Sequence, residues 1–459
     1  MSYSQTITYI YNLRKHGIKF GLNNINRLVS IFGDPHKSFL SVHVAGTNGK
    51  GSTSAIIASI LRKSGLRVGL FTSPHLISFT ERIRVNGEEI SQEDVINLAE
   101  EIREKIEYIV SFDPDFSPTF FEVVTAMAFL YFQRKGIDIA VIEVGMGGRL
   151  DATNIVTPEI SVITTIGLDH MEFLGGTLRE IAYEKAGIIK EGIPVVVSSQ
   201  VPEALKVINE KADEKKSRVY IYGRDFSSIL KSADHTGVRF DYYGGDSFEI
   251  TDLYLPLPGE HQIENASIAI KAAELINERL STSFNSLLTS PCSSLITHHS
   301  IREGLASTSW PGRLEMIKGE PPILIDGAHN PSAAEALSRA ISKYYLGIYK
   351  KIILILGIMG DKDIEGIMRP LLPIASEIIL TSPDYERAAR PEKLVDIARS
   401  LGFQRIKIAL SVKEAIDIAK NSLLLTPHSS LIVITGSFYT IGEAKEALGH
   451  KGVLTKLRE

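Results

Sequence analysis

The stretch Val42-His43-Val44-Ala45-Gly46-Thr47-Asn48-Gly49-Lys50-Gly51-Ser52 constrains this chain more than any other. Apolar alternation at Leu40, Val42 and Val44 predicts a strand, the three glycines predict a tight loop, and Ile57, Ile60 and Leu61 recur at helical spacing. A strand that runs through a glycine-rich loop into a helix can turn backbone N–H groups toward an anion. The helix N-terminus adds positive potential, and Lys50 offers a point charge for terminal phosphates. The spacing departs from the standard phosphate loop, because Val44 stands where the first glycine belongs and Gly51 separates Lys50 from Ser52. The competing reading is a turn that binds nothing, and a lysine in register with the helix start argues against it.

At 459 residues the chain exceeds one ordinary core, so two or three domains are expected. Hydrophobic content of 44% and charged content of 23% are those of a water-soluble globular protein. A net charge of -4 gives no electrostatic footprint for nucleic acid or an anionic membrane. The single cysteine, Cys292, excludes an internal disulfide and a cysteine-rich zinc site, and it fits a reducing cytoplasm. Met1 to Gly17 is polar, unlike a signal peptide, and runs such as Val123 to Phe132 are shorter than a membrane span. The expectation is a cytoplasmic protein without nucleic-acid or membrane partners.

Two short helices are predicted over 6–16 and 23–32, ahead of the loop strand. Strands follow at Arg67 to Phe71, Ile137 to Val144, Ile160 to Ile166 and Val195 to Ser199, with a hairpin about Asn86-Gly87 and helix caps at Ser91, Thr119 and Thr177. This strand–helix alternation predicts an α/β, phosphate-loop type of domain with a mostly parallel sheet. Arg218 to Leu257 reads as a small antiparallel appendage, and Ile263 to Arg279 as a helix. Ser281 to Ser300 reads as a surface loop or insertion. A second, smaller Rossmann-like α/β domain is expected from strands at Ile323 to Ile325, Lys351 to Leu356, Glu377 to Leu380 and Leu431 to Thr435. The division predicted is residues 1–306, a linker at 307–312, and 313–459.

Ser73, Glu143 and His170 follow strands that a parallel sheet would align with the phosphate loop, which points to a metal site. Magnesium prefers oxygen, so Ser73 and Glu143 suit it, whereas His170 by its own chemistry reads as a hydrogen-bonding or catalytic group. Lys185 is open between a solvated helix lysine and a buried lysine of lowered pKa that could form a carbamate with carbon dioxide. In the second domain, Asp326 to Pro331 ends a strand and opens a helix, Thr435-Gly436-Ser437-Phe438 repeats that arrangement, and Arg313 follows the linker. These positions share one reading, a cleft between two α/β domains.

With these stretches in order, the chain resembles the folylpolyglutamate synthase and dihydrofolate synthase family, a branch of the Mur-type ATP-dependent amide ligases. The resemblance rests on Gly46 to Ser52, Ser73-Pro74-His75-Leu76, Thr80 to Arg84, Phe121-Glu122, Glu143 to Asn154, Leu168-Asp169-His170, Glu184 to Gly187, Pro311-Gly312-Arg313, Asp326 to Pro331 and Gly436-Ser437-Phe438. It implies that Gly49, Lys50, Gly51 and Ser52 cradle ATP, with Asn265, Arg313 and Asp326 completing the nucleotide site. It implies two magnesium ions, one on Ser73 and His170 and one on Glu143, with a carbamylated Lys185 in support. The pterin of dihydropteroate or a reduced folate is expected against Thr119, Phe120, Phe121, Glu122, Leu150, Asp151 and Ala152, under the segment that carries Arg82. His329 and Ser437 are expected to meet L-glutamate, and the protein to act as a monomer.

The implied reaction is phosphoryl transfer from ATP to a pterin-linked carboxylate, followed by attack of the glutamate amine on the acyl phosphate. Leu150 to Asn154 resembles bifunctional bacterial members, which implies both dihydrofolate synthase and folylpolyglutamate synthase activity. The alternative is folylpolyglutamate synthase alone. More distant alternatives are a cell-wall Mur ligase, which needs a uridine-nucleotide domain that about 40 residues cannot supply, and a nucleotide-binding ATPase without ligase activity.

Overall fold

The computed structural model describes residues 1–17, 21–245, 248–284, 295–424 and 426–450. The first lobe is built on β1 (Leu40–Ala45), β2 (Val68–Phe71), β3 (Ile83–Val85), β4 (Glu88–Glu89), β5 (Ile139–Glu143), β6 (Ile160–Ile163), β7 (Val195–Val197) and β8 (Val219–Ile221). They form one eight-stranded sheet in the order β4-β3-β2-β5-β1-β6-β7-β8, parallel from β2 to β8 and antiparallel at the β2–β3 and β3–β4 pairings of its edge.

A parallel strand covered by helices on both faces needs apolar side chains in succession, and β5 reads Ile-Ala-Val-Ile before its glutamate, all buried. Ala140 and Ile142 join the core under the helices Tyr3–Asn12, Gln92–Val110 and Phe120–Lys135. Ile139 and Val141 join the opposite core with Lys50–Lys63 and His261–Phe284. Capping boxes begin the helices at Thr119 and Thr177, as their Glu122 and Glu180 predict.

Three further strands, β9 (Ser227–Asp234), β10 (Gly237–Tyr243) and β11 (Glu249–Leu255), form an antiparallel sheet on the long helix. That appendage begins later than expected. Val219–Ile221 pairs in parallel with β7, because the intervening helix Pro202–Glu214 makes one more crossover of the main sheet.

The expected loop at 281–300 is also shorter. Burial of Leu275, Ile276 and Leu280 carries one helix to Phe284, and a Thr297 cap starts another at His298. Residues 285–294, Cys292 included, lie outside the described residues.

The second lobe is a six-stranded sheet of β12 (Glu315–Ile317), β13 (Ile323–Ile325), β14 (Lys351–Leu356), β15 (Glu377–Leu380), β16 (Ile406–Ile408) and β17 (Ser430–Thr435), in the order β12-β13-β17-β14-β15-β16. The two edge strands, β12 and β16, escape the sequence pattern because each has three residues and none of them is fully buried. Among the described residues no helix is long and apolar enough to cross a membrane.

Candidate active site

Ligands of doubly wound sheets sit beyond the carboxyl ends of the strands, and here the carboxyl ends of both sheets face one cleft of about 490 Å³. Loops after β1, β2, β5 and β6 line it from one side, and loops after β13, β14, β15 and β17 from the other. Of the residues expected from sequence, Gly49, Lys50, Gly51, Ser73, Thr119, Phe120, Phe121, Glu122, Glu143, Leu150, Asp151, Ala152, His170, Lys185, Arg313, His329 and Ser437 all line this cleft.

Strand register sets the centre of the site. Val44 is paired with Glu143 and Phe71 with Ile142, so the loops that leave β1, β2 and β5 are neighbours. Gly49 begins the helix at φ +87°, where a Cβ would lie 2.4 Å from Asn265 Oδ1. A Cβ on Gly51 would lie 2.9 Å from Trp310 Nε1. Lys50 donates to the carbonyls of Gly46 (3.2 Å) and Thr47 (3.4 Å), and Lys185 donates to the same Gly46 carbonyl at 2.9 Å.

Two lysine amines and one carboxyl group therefore share this space. Burial pushes the Glu143 carboxyl up to about 7, against the pull of Lys50 and of the Ser73 N–H, which donates to it at 3.2 Å. Burial and the neighbouring Lys50 push Lys185 down to about 7, and the side chain is 5% exposed. Lys185 is therefore not a solvated helix lysine.

Four expected residues stand behind the lining. Ser52 is buried in the first turn of its helix. Asn265 is buried against Gly49 and donates to Gln262 at 3.0 Å. Arg82 is fully buried, donates from Nε to His75 Nδ1 at 2.8 Å and lies over the Phe120 ring at 5.4 Å. Asp326 accepts from the N–H groups of Leu314 and Ala328, both at 2.9 Å, so it fixes the backbone beside Arg313 and the turn that carries His329.

Around the cleft the lobes meet through polar contacts. Lys362 reaches Asp169 at 2.5 Å with both side chains largely shielded from solvent, while Asn330 Nδ2 and His329 Nε2 approach the other Asp169 oxygen at 3.5 and 3.6 Å. Burial opposes ionisation of Asp169, yet His329, His170 and Lys362 together hold its carboxyl well below the ordinary range. Asn48 of the phosphate loop donates to Ser332 at 2.7 Å and accepts from Asn330 at 2.9 Å.

Sequence reasoning assigned no role to Arg14, Asp169, Met359, Asp361, Lys362, Tyr385, Arg387 or Tyr439, yet all line the cleft. Met359 to Lys362 follow β14, and Tyr385 and Arg387 follow β15. The strand-end rule that singled out Ser73 and Glu143 would have found them in the second lobe.

Two family descriptions match the chain: "Mur ligase middle domain" over residues 44–273 and "Mur ligase, glutamate ligase domain" over 312–438. A dihydrofolate synthase/folylpolyglutamate synthase of Bacillus subtilis is 36% identical, over 97% of this chain and 99% of that protein. The crystal structure of a folylpolyglutamate synthase from Thermotoga maritima, 39% identical, covers 99% of both chains with a TM-score of 0.82. The Mycobacterium tuberculosis folylpolyglutamate synthase, crystallised with ADP and AMPPCP, is 31% identical over 98% of this chain and 100% of that one, with a TM-score of 0.87. The cleft between two sheet edges, the phosphate loop at its centre and this likeness over full length lead to one assignment: the chain belongs to the folylpolyglutamate synthase and dihydrofolate synthase family of Mur-type, ATP-dependent ligases.

Proposed function

We propose that this enzyme joins L-glutamate to a pterin-linked carboxylate at the expense of ATP, as a bifunctional dihydrofolate synthase and folylpolyglutamate synthase. The observation that carries the reading is the single cleft into which a phosphate loop from one lobe and His329 and Ser437 from the other both open. Residues 1–306 form the ATP and pterin domain, 307–312 the linker and 313–459 the glutamate-ligase domain. The cleft is completed within one chain, which supports action as a monomer, and the single cysteine supports a cytoplasmic setting.

Gly49, Lys50, Gly51 and Ser52 hold the phosphates of ATP, with Asn265, Arg313 and Asp326 shaping the nucleotide site. Phe120, Phe121, Thr119, Glu122 and the segment Leu150 to Ala152 form the pterin wall, with Arg82 packed behind Phe120. The substrate carboxylate attacks the γ-phosphorus, the bond to ADP breaks, and an acyl phosphate forms. Lys50 neutralises charge on the phosphoryl group as it moves. The amine of glutamate, held by His329 and Ser437, then attacks the acyl carbon, losing a proton as inorganic phosphate leaves. The enclosing lobes keep water from the acyl phosphate.

Ser73 and Glu143 fit magnesium, because both offer oxygen and a buried Glu143 carboxyl pushed up to about 7 is one that a cation would stabilise as carboxylate. Two ions are proposed, one on Ser73 and His170 and the other on Glu143. Magnesium when bound shields the phosphate oxygens and supplies Lewis acidity. Among the described residues no three His, Cys, Asp or Glu side chains form a metal cage, so an ion held by Ser73, Glu143 or His170 would take further oxygen ligands from phosphate and water. Lys185 adds to carbon dioxide through its neutral amine, releasing a proton and giving a carbamate that supports the metals.

The test is a substrate panel with ATP, magnesium and glutamate, read by phosphate release and product mass. Glutamate addition to both dihydropteroate and tetrahydrofolate is expected. Addition to tetrahydrofolate alone removes the bifunctional reading, and phosphate release independent of glutamate removes the ligase reading.

A further inference from the structure

His43 lies in the middle of β1, fully buried, two residues before the phosphate loop begins at Ala45-Gly46. It is paired with Ile142 of β5 and Ser161 of β6, where an apolar side chain would pack without cost. Among the described residues its Nδ1 has no hydrogen-bond partner. Its Nε2 lies 2.8 Å from Thr153 Oγ1. Thr153 Oγ1 in turn lies 2.5 Å from Asp151 Oδ1.

The hydroxyl has a single proton, and the direction of the chain follows from that. Asp151 accepts the Thr153 N–H at Oδ1 (3.0 Å) and the Met146 N–H at Oδ2 (2.9 Å), so both of its oxygens act as acceptors, and the Thr153 hydroxyl donates to the first of them. The Thr153 proton therefore points to Asp151, and its oxygen accepts from a neutral His43 protonated at Nε2. Asp151 and Met146 both line the cleft. The relay thus runs from the core of the sheet to the cleft wall, and it starts on the strand that carries the phosphate loop.

We propose that His43 is a positioning residue for substrate recognition: acting through Thr153, it fixes the Asp151 carboxylate and ties the pterin wall to the strand that presents ATP. This rests on the pterin assignment above. Phosphoryl transfer requires the acceptor carboxylate to be held near in-line to the nucleotide, and anchoring both subsites to one strand sets that distance from within the fold.

Thr153→Val keeps the side chain's shape and removes the relay, Thr153→Ser keeps the hydroxyl, and His43→Gln replaces the ring with an amide donor. With the full-length enzyme, steady-state constants for dihydropteroate, ATP and glutamate are measured alongside thermal melting. Thr153→Val is expected to raise KM for dihydropteroate about tenfold, the loss of roughly one hydrogen bond's worth of binding. KM for ATP should stay within about twofold on the same basis, Thr153→Ser should restore the wild-type value, and His43→Gln should fall between.

Unchanged dihydropteroate KM in both Thr153→Val and His43→Gln overturns the positioning role alone. So does an equal rise in the ATP and dihydropteroate constants with a lowered melting temperature, because that is what a merely structural role gives. A wild-type enzyme that ignores dihydropteroate and folates overturns the pterin assignment and this inference with it.

Discussion

Replacing Lys362 with methionine tests whether the lobes are latched through Asp169. The ion pair spans the cleft at 2.5 Å with side chains only 11% and 7% exposed. Removing one partner of a buried pair costs about 3–5 kcal/mol when the other stays buried. Asp169 keeps Asn330 and His329 at 3.5 and 3.6 Å, so the lower end, about 3 kcal/mol, applies. Opening the lobes returns Asp169 to water and removes the penalty, so the cost appears as a shift from closed to open of roughly 150-fold at 1.4 kcal/mol per decade. Because His329 and Ser437, proposed to hold glutamate, belong to the second lobe, kcat/KM for glutamate should fall about 100-fold on that arithmetic, and ATP affinity should weaken with it to the extent that Arg313 and Asp326 of the same lobe shape the nucleotide site. Lys362 also lines the cleft, so a single variant cannot separate latching from substrate contact. A double-mutant cycle with Asp169→Asn can, and a coupling of about 1.5 kcal/mol or more is expected, with X-ray scattering reporting a more open envelope in each single variant. Additive losses and an unchanged envelope would refute the latch.

Acid should destabilise the protein partly through His43. Burial holds its imidazole down at about 3, against an ordinary 6.5, so the unfolded chain takes up a proton below pH 6.5 that the folded chain refuses. The stability linked to His43 is full above pH 6.5 and is lost as pH falls toward 3, at up to about 1.4 kcal/mol per pH unit. Comparing denaturant unfolding of wild type and His43→Gln from pH 7 to 4 should therefore show the wild-type curve falling more steeply; parallel curves would contradict it. On the proposed metal-supporting role, Lys185→Met should lower ligation about 10–100-fold, while melting at or above the wild-type temperature because a buried amine has been removed. A strongly lowered melting temperature would assign Lys185 to the fold instead.

What the sequence made legible was local. Alternation, three glycines and helical spacing define β1, its loop and the helix after it within about two dozen residues, and each signal is a property of neighbours in the chain. The capping boxes at Thr119 and Thr177 are legible for the same reason, since cap and glutamate lie three positions apart. Lys185 was ambiguous because its burial depends on the loops of β1 and β5, not on its own helix. The roles of Asp169 and Lys362 were invisible, as 193 residues separate them and neither looks unusual among exposed charges. His43 reads as one polar residue in an apolar strand until Thr153, 110 positions later, is placed beside it.

The contacts that were hardest to read are also those that let the enzyme work. Near the linker the lobes share an apolar contact: Leu76 of the first packs with Ile325 and Ile441 of the second, close to Gly312. Around the cleft the contacts among the described residues include hydrogen bonds from Asn48 to Ser332 and from Asn330 to Asn48, and the ion pair of Asp169 with Lys362. Apolar surface separated from water loses about 25 cal/mol for every Å² exposed, whereas a hydrogen bond exchanged for water changes free energy by only about 1 kcal/mol. A seam that is apolar beside the linker and polar around the cleft can therefore pivot at the first and part at the second. Such a division suits a reaction that must admit three substrates, exclude water while an acyl phosphate exists, and then release its products.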